Sequence, residues 1–297
     1  MTAQTPAAIY VDARALQDPD YRFRGVGQHA ASLLDALRRR RWSGKRPRLI
    51  AVTDVGRDPL HEQHRRIFDE VTSKVSPSPS AGKAWFLSLS PMTHDPVWGA
   101  AFLQDPFIYR VALFYDLIPL QFSERYLRDP NLRADYLVAL AWLRQYDAFA
   151  AISHFSADGL IRQVNIKPRK VFVSGVAVRA SLQPRAGEAP LPWSDRRWIV
   201  VSGGGDPRKN PECAVIAHAK SQILNEARLK LAVFGNYPPE MRANFRKIYL
   251  ENGGEQENLI FQSHLTDADL HQLYREGLVT VVPSRAEGFS IPIVEGN

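Results

Sequence analysis

Short apolar runs separated by amphipathic stretches recur along the whole chain. In the first half, residues 8–12, 49–53, 84–89, 111–115, 148–152 and 170–174 read as strands; in the second half, 198–202, 231–234, 259–262 and 279–282 do. The uninterrupted run 279–282 suits a parallel strand covered on both faces. Val26, Ala30, Leu33, Leu34 and Leu37 recur at helical spacing and predict an amphipathic helix over 27–41. Leu132, Tyr136, Leu140 and Leu143 form one face of another helix. Thr266 and Asp269 have the spacing of a helix cap, with Leu270, Leu273 and Tyr274 on the buried side and Gly277 just past the end. Strands alternating with helices predict an α/β chain with parallel sheets. At 297 residues the chain is too long for one ordinary core, and Pro184, Pro190 and Pro192 mark a linker. Two domains are expected, 1–190 and 191–297, with an exposed Pro/Ser-rich loop at 76–82.

Composition adds limits. With 45% hydrophobic and 23% charged residues the chain reads as globular, and no apolar run approaches the ~20 residues that span a bilayer. Residues 1–8 lack the basic and apolar parts of a signal peptide, so a cytoplasmic location is expected. A single cysteine, Cys213, excludes an internal disulfide and a cysteine-rich zinc site. The net charge of +7 is concentrated early: residues 1–50 hold ten Lys or Arg against four Asp. Arg38 to Arg41, Trp42, Lys45 and Arg46 could meet anionic lipid headgroups from the inner face of a membrane, or simply complement a helix C-terminus. Nucleic acid is not expected as a partner, because neither zinc-finger spacing nor an aromatic RNA-binding signature is present.

Candidate chemistry gathers at strand ends. After the run 279–282, Pro283, Ser284 and Gly288 break the pattern, and Pro292 fits the first turn of a helix. Glu287 in the turn and Glu295 eight positions on would lie where the N-H groups of a helix start point outward, a place for a phosphorylated sugar. Ordinary solvated acids are the bland alternative. After 198–202 comes Gly203-Gly204-Gly205-Asp206-Pro207-Arg208-Lys209-Asn210-Pro211. A glycine turn with a cationic helix entry suits a diphosphate; a solvated helix start is the alternative. It is not a Walker loop. Gly25-Val26-Gly27-Gln28-His29-Ala30 matches G-x-G-x-x-A but lies too far from its strand for a dinucleotide site. Asp18-Pro19-Asp20 and Asp267-Ala268-Asp269 spell Asp-x-Asp, but no further carboxylate or histidine supports a metal sphere. No carboxylate pair suited to hydrolysis is evident.

Pro-Ser-x-x-Glu-Gly-Phe-x-x-Pro with its Glu-x7-Glu spacing, residues 283–295, resembles the donor-site signature of glycosyltransferase family 4, the retaining group 1 glycosyltransferases. The resemblance implies a GT-B fold of two facing Rossmann-like domains and a nucleotide-diphospho-sugar donor. It places Glu287 beside the transferred sugar, Glu295 at the ribose hydroxyls and Lys209 at the diphosphate. Arg208, Gly203, Gly204, Gly288, Phe289 and Ser290 complete the donor side. Many relatives carry an arginine just after the strand; glycine fills that turn here, so either Arg208 shares the charge or the second cation is missing. On the acceptor side it points to Gly25 and Gly27, whose backbone can approach a ligand closely. It also points to Tyr115 and Asp116, where the family usually has His-Asp-Leu-Ile-Pro, and to Ser153, which is equally a good N-cap. Asp116 reads equally as a capped structural turn, and His154 is expected in solvent or at the domain edge.

The activity so implied is transfer of a hexose of mannose or glucose type to a glycan or lipid-linked acceptor, without a metal cofactor. In the family the helix begun near Ile291 continues and further units follow, so a second domain lacking its final portion is expected. A helix this short needs tertiary cover. The rival reading is a non-catalytic remnant that serves as a basic scaffold or membrane-surface protein.

Overall fold

The computed structural model describes residues 5–77, 83–183, 187–263 and 265–296. Most of the expected 76–82 loop and Pro184 of the expected linker fall outside them. The chain divides into two compact units, 1–177 and 178–297. The prolines near 190 therefore lie inside the second unit, because Val178 and Leu182 already pack in its core.

The first unit is built on seven parallel strands: β1 (Ala8–Asp12), β2 (Arg48–Val52), β3 (Glu70–Thr72), β4 (Ala84–Ser88), β5 (Ile108–Phe114), β6 (Ala148–Ala151) and β7 (Val171–Val173). Their order is β3-β2-β1-β4-β5-β6-β7. Every residue of β1 is buried, as a central parallel strand covered on both faces requires. Alternate residues feed opposite layers. Tyr10 joins Ile50, Phe86, Phe102 and Phe114 on one side; Ile9 and Val11 join Leu34, Leu49, Ala51 and Leu87 on the other. Its helices include α1 (Gly25–Arg39), α2 (Pro130–Trp142) and α3 (His154–Arg162). On α2, Tyr136 is buried but Leu132, in the first turn, is 54% exposed and not part of the expected apolar face.

The second unit has β8 (Trp198–Ser202), β9 (Lys230–Phe234), β10 (Leu259–Gln262) and β11 (Gly277–Val281), all parallel in the order β10-β9-β8-β11. Helices α4 (Pro211–Lys220), α5 (Pro239–Glu251), α6 (Asp267–Arg275) and α7 (Ile291–Glu295) follow in turn. Ile199, Val201, Leu231 and Val233 pack on one face, Val200 and Ala232 on the other. Among the described residues β11 is an edge strand with Val279 48% exposed, so the expected cover on both faces is not met. A run of apolar residues does not tell a central strand from an edge one. The cap at Thr266 forms as expected: its Oγ1 accepts from Asp269 N–H at 3.2 Å, and Asp269 Oδ2 accepts from Thr266 N–H at 3.1 Å. Among the described residues no helix is long and apolar enough to cross a membrane.

Candidate functional site

Open parallel sheets bind ligands at the carboxyl ends of their strands. In the second unit these ends carry the glycine turn after β8, the turn after β9 and the 282–290 segment after β11. Three backbone features shape them. Asn210 and Ser290 hold left-handed conformations (φ 50° and 69°), which non-glycine residues adopt at a cost. Gly235, at φ 136°, backs directly onto the neighbouring turn, where an added methyl would meet Gly204 N at 2.9 Å. At Gly203 an added methyl would overlap the Tyr237 hydroxyl, so glycine there is a packing requirement.

Two distant segments close on each other across this edge. Lys209 Nζ donates to Glu287 Oε1 at 2.7 Å, and Arg208 Nη1 to Glu287 Oε2 at 3.2 Å and to the Ala286 carbonyl. Arg285 N–H donates to the Arg208 carbonyl at 2.9 Å, and Asn210 Nδ2 to the Pro283 carbonyl at 3.2 Å. Arg208, Lys209 and Glu287 side chains are only 12, 22 and 19% exposed. Burial opposes ionisation of Glu287, but the hydrogen bond from Lys209 and the charges of Lys209 and Arg208 outweigh it and hold the carboxyl below its usual range. Arg208 thus stands beside Lys209 as a second cation on the same carboxylate. Gly288 and Ser290 are buried, and Phe289 is half-buried.

Glu295 belongs to a second cluster. Its Oε1 accepts from Arg179 Nε at 3.2 Å and its Oε2 from the Tyr274 hydroxyl at 3.4 Å. Burial and the Glu295 charge push the Tyr274 phenol up, so it remains a donor. These bonds, and packing against β11, supply the tertiary cover that five-residue α7 needs. Asp267 is engaged by Arg179 and Ser181, and Asp269 by its own helix cap.

In the first unit, α1 begins two residues earlier than its apolar spacing suggested, so Gly25 and Gly27 lie in its first turn. A methyl at Gly27 would overlap the carbonyls of Tyr21 and Arg22. The close approach there is to the chain's own preceding loop. Tyr115, at the end of β5, donates to the Val26 carbonyl at 3.0 Å. Ser156 donates to the Tyr115 carbonyl and also accepts from Ser153, whose Oγ caps α3 by accepting from Ser156 N–H at 3.0 Å. Asp116 accepts from Ile118 N–H at 2.9 Å, as a structural turn would. Of the acceptor-side candidates, Tyr115 and Ser153 are therefore joined through Ser156. His154 is exposed. Two groups that the sequence did not single out lie in this unit. His29 is 4% exposed, edge-on to the Tyr115 ring, and burial lowers its imidazole to about 4. At the end of β1, Arg14 pairs with Asp12 at 2.8 Å, both buried, and stacks on Trp98. Asp18 is held by His94 and Arg57.

The basic stretch is largely paired: Arg38 reaches the Arg66 and Ile67 carbonyls, Arg39 pairs with Asp35, Arg46 with Asp69 and Arg48 with Glu70. Arg40, Arg41 and Lys45 stay exposed.

Residues 188–297, nearly the whole second unit, match the family model of glycosyl transferases group 1. The second unit is thus similar to the group 1 glycosyl transferases. The chain is also 31% identical over 192 residues to Escherichia coli sequences named serotype-specific mannosyltransferase WbdA, covering 62% of this chain. The chain spans about a quarter (24%) of the length of the first of these. Among solved structures it resembles Anabaena HepE in complex with UDP-glucose (TM-score 0.63, 16% identity, 97% of this chain and 77% of that one). It resembles sucrose-phosphate synthase from Thermosynechococcus elongatus equally (TM-score 0.63, 17% identity, 99% and 79%). At such identities the likeness is one of fold: two Rossmann-like units of GT-B type.

Proposed function

We propose that this chain is a group 1 glycosyl transferase that moves a hexose, of mannose or glucose type, from a nucleotide-diphospho-sugar to a glycan or lipid-linked acceptor with retention at the anomeric carbon. The observation that carries the reading is the convergence of Lys209, Arg208 and Glu287 beside the glycine turn of the second unit. Two cations at the end of a parallel sheet suit a diphosphate leaving group, whose charge grows as the sugar departs. In this reading the acceptor hydroxyl attacks the anomeric carbon as its bond to the β-phosphate oxygen breaks, and the hydroxyl proton passes to that oxygen. Lys209 and Arg208 stabilise the leaving diphosphate in place of a metal, and Glu287 supports the sugar. Glu295 receives the ribose hydroxyls. Gly25, Gly27, Tyr115, Asp116 and Ser153 shape the acceptor side. The mannosyltransferase name of the relatives favours mannose, and the exposed Arg40, Arg41 and Lys45 favour work at an anionic membrane surface.

A thermal-shift titration with GDP, UDP, ADP and dTDP tests it. A nucleotide at 100 times its Kd should stabilise by about 2.7 kcal/mol, a shift of a few degrees. One nucleotide is expected to shift the melt and Lys209→Ala to abolish the shift. No shift with any of the four would sink the donor site and leave the non-catalytic reading.

A further inference from the structure

Resting on the donor reading above, we propose that Arg179 is a positioning residue of the nucleotide site, orienting the Glu295 carboxylate toward the ribose diol. The Glu295 side chain is 8% exposed, and a carboxylate so desolvated is costly without a cation. Arg179 supplies one through Nε at 3.2 Å, while its Nη1 pairs with Asp267 at 2.6 Å. The guanidinium is therefore anchored from its far side, and it bridges the start of α6 to the end of α7. Its own segment is fixed as well: Leu182 is buried, Val178 packs in the same core, and Ser181 Oγ donates to Asp267 Oδ2 at 2.6 Å.

The pattern of hydrogen bonds leaves room for a diol. An ionised carboxylate offers about four acceptor positions. Arg179 takes one on Oε1 and the Tyr274 hydroxyl one, at 3.4 Å, on Oε2. Counting the donors among the described residues, one position on each oxygen is left, enough for two hydroxyl donors. Arg179 contacts no diol itself; it fixes which way the remaining lone pairs face.

The readout is discrimination between a ribonucleotide and its 2′,3′-dideoxy counterpart, because a purely structural arginine would change both affinities alike. GDP, UDP and ADP, each with its dideoxy form, are titrated calorimetrically against the protein, Arg179→Gln, Arg179→Lys, Asp267→Asn and Glu295→Gln. The protein is expected to prefer the ribonucleotide by about tenfold, as hydrogen bonds to a charged group allow. That preference should collapse toward unity in Glu295→Gln and Arg179→Gln, fall partway in Asp267→Asn, and recover in part in Arg179→Lys. If the protein shows the preference and Arg179→Gln keeps it, even with weaker overall binding, Arg179 is not a positioning residue and the donor reading stands. If no nucleotide binds, or the protein itself shows no preference, the assignment of Glu295 to the ribose fails and this proposal falls with it.

Discussion

Lys209 and Glu287, 78 residues apart in sequence, meet at 2.7 Å, and Arg208 closes on the same carboxylate from its other oxygen. Glu287 thus ties up the two cations that the donor reading assigns to the diphosphate. Replacing it by glutamine removes its charge and frees both. Glu287→Gln is therefore expected to bind the nucleoside diphosphate at least as tightly as the unaltered protein. Transfer should fall about a hundredfold or more, the usual cost of losing a charge aimed at the reacting centre. Equilibrium binding and single-turnover transfer, measured side by side, check it; a parallel loss of both would assign Glu287 a role in holding the turn instead.

The same carboxylate carries a pH dependence. Its folded-state pKa lies below its ordinary value of 4.5, so the unfolded chain takes up the proton first. Stability from Glu287 is fully present above about pH 4.5 and is lost as pH falls through the depressed folded value. Asp12 and Asp147 are also depressed: burial opposes their ionisation, but Arg14 and Arg110 respectively outweigh it. A plot of Tm against pH should drop on its acid side, and Glu287→Gln should make that drop shallower without removing it. An unchanged acid limb in the variant would show that the Lys209 and Arg208 contacts contribute nothing to folding.

Tyr115 stands where the family usually has histidine, and the structure gives it a different task. Its hydroxyl ties the end of β5 to the first turn of α1 through the Val26 carbonyl. Burial keeps the phenol protonated, so its hydroxyl retains the proton that it donates to Val26. Tyr115→Phe should cost about 1 kcal/mol, the net worth of one hydrogen bond, and lower Tm by a few degrees. Nucleotide binding should be unaffected, because Glu287, Lys209 and Glu295 are all in the other unit. Chemical denaturation and a nucleotide titration together test both halves.

Much of the fold was legible, and the reason is physical. A central parallel strand must be apolar on both faces, so β1 and β8 coincide with their runs to the residue. Position within a sheet is not written in a run, which is why exposed β11 was misread. Apolar spacing started the first long helix at residue 27, yet it begins at Gly25, since a helix tolerates glycine where the preceding chain crosses it. Within the site, Lys209 and Glu287 were found from local motifs, but their pairing was not. Arg179 had no local signature at all: its partner Glu295 lies 116 residues away, and its neighbours read as linker. Contacts made by the fold, rather than by spacing, stay silent in one sequence.

The glycine at 203 offers the most demanding test of how the donor edge is built. The Tyr237 hydroxyl, 1% exposed as a residue, fills the volume that a side chain on residue 203 would need. The phenolic carbon Cζ lies 3.3 Å from that same position, close enough to require adjustment but not collision. Gly203→Ala alone should therefore push the turn and Tyr237 apart, cost about 1–3 kcal/mol as overpacking does, and weaken nucleotide binding. Tyr237→Phe alone removes only the hydroxyl and should cost less. Combined, the two substitutions should recover much of the loss, giving a favourable coupling of about 1 kcal/mol in a double-mutant cycle. Additive losses would mean that the turn excludes side chains for another reason, such as the approach of the diphosphate itself.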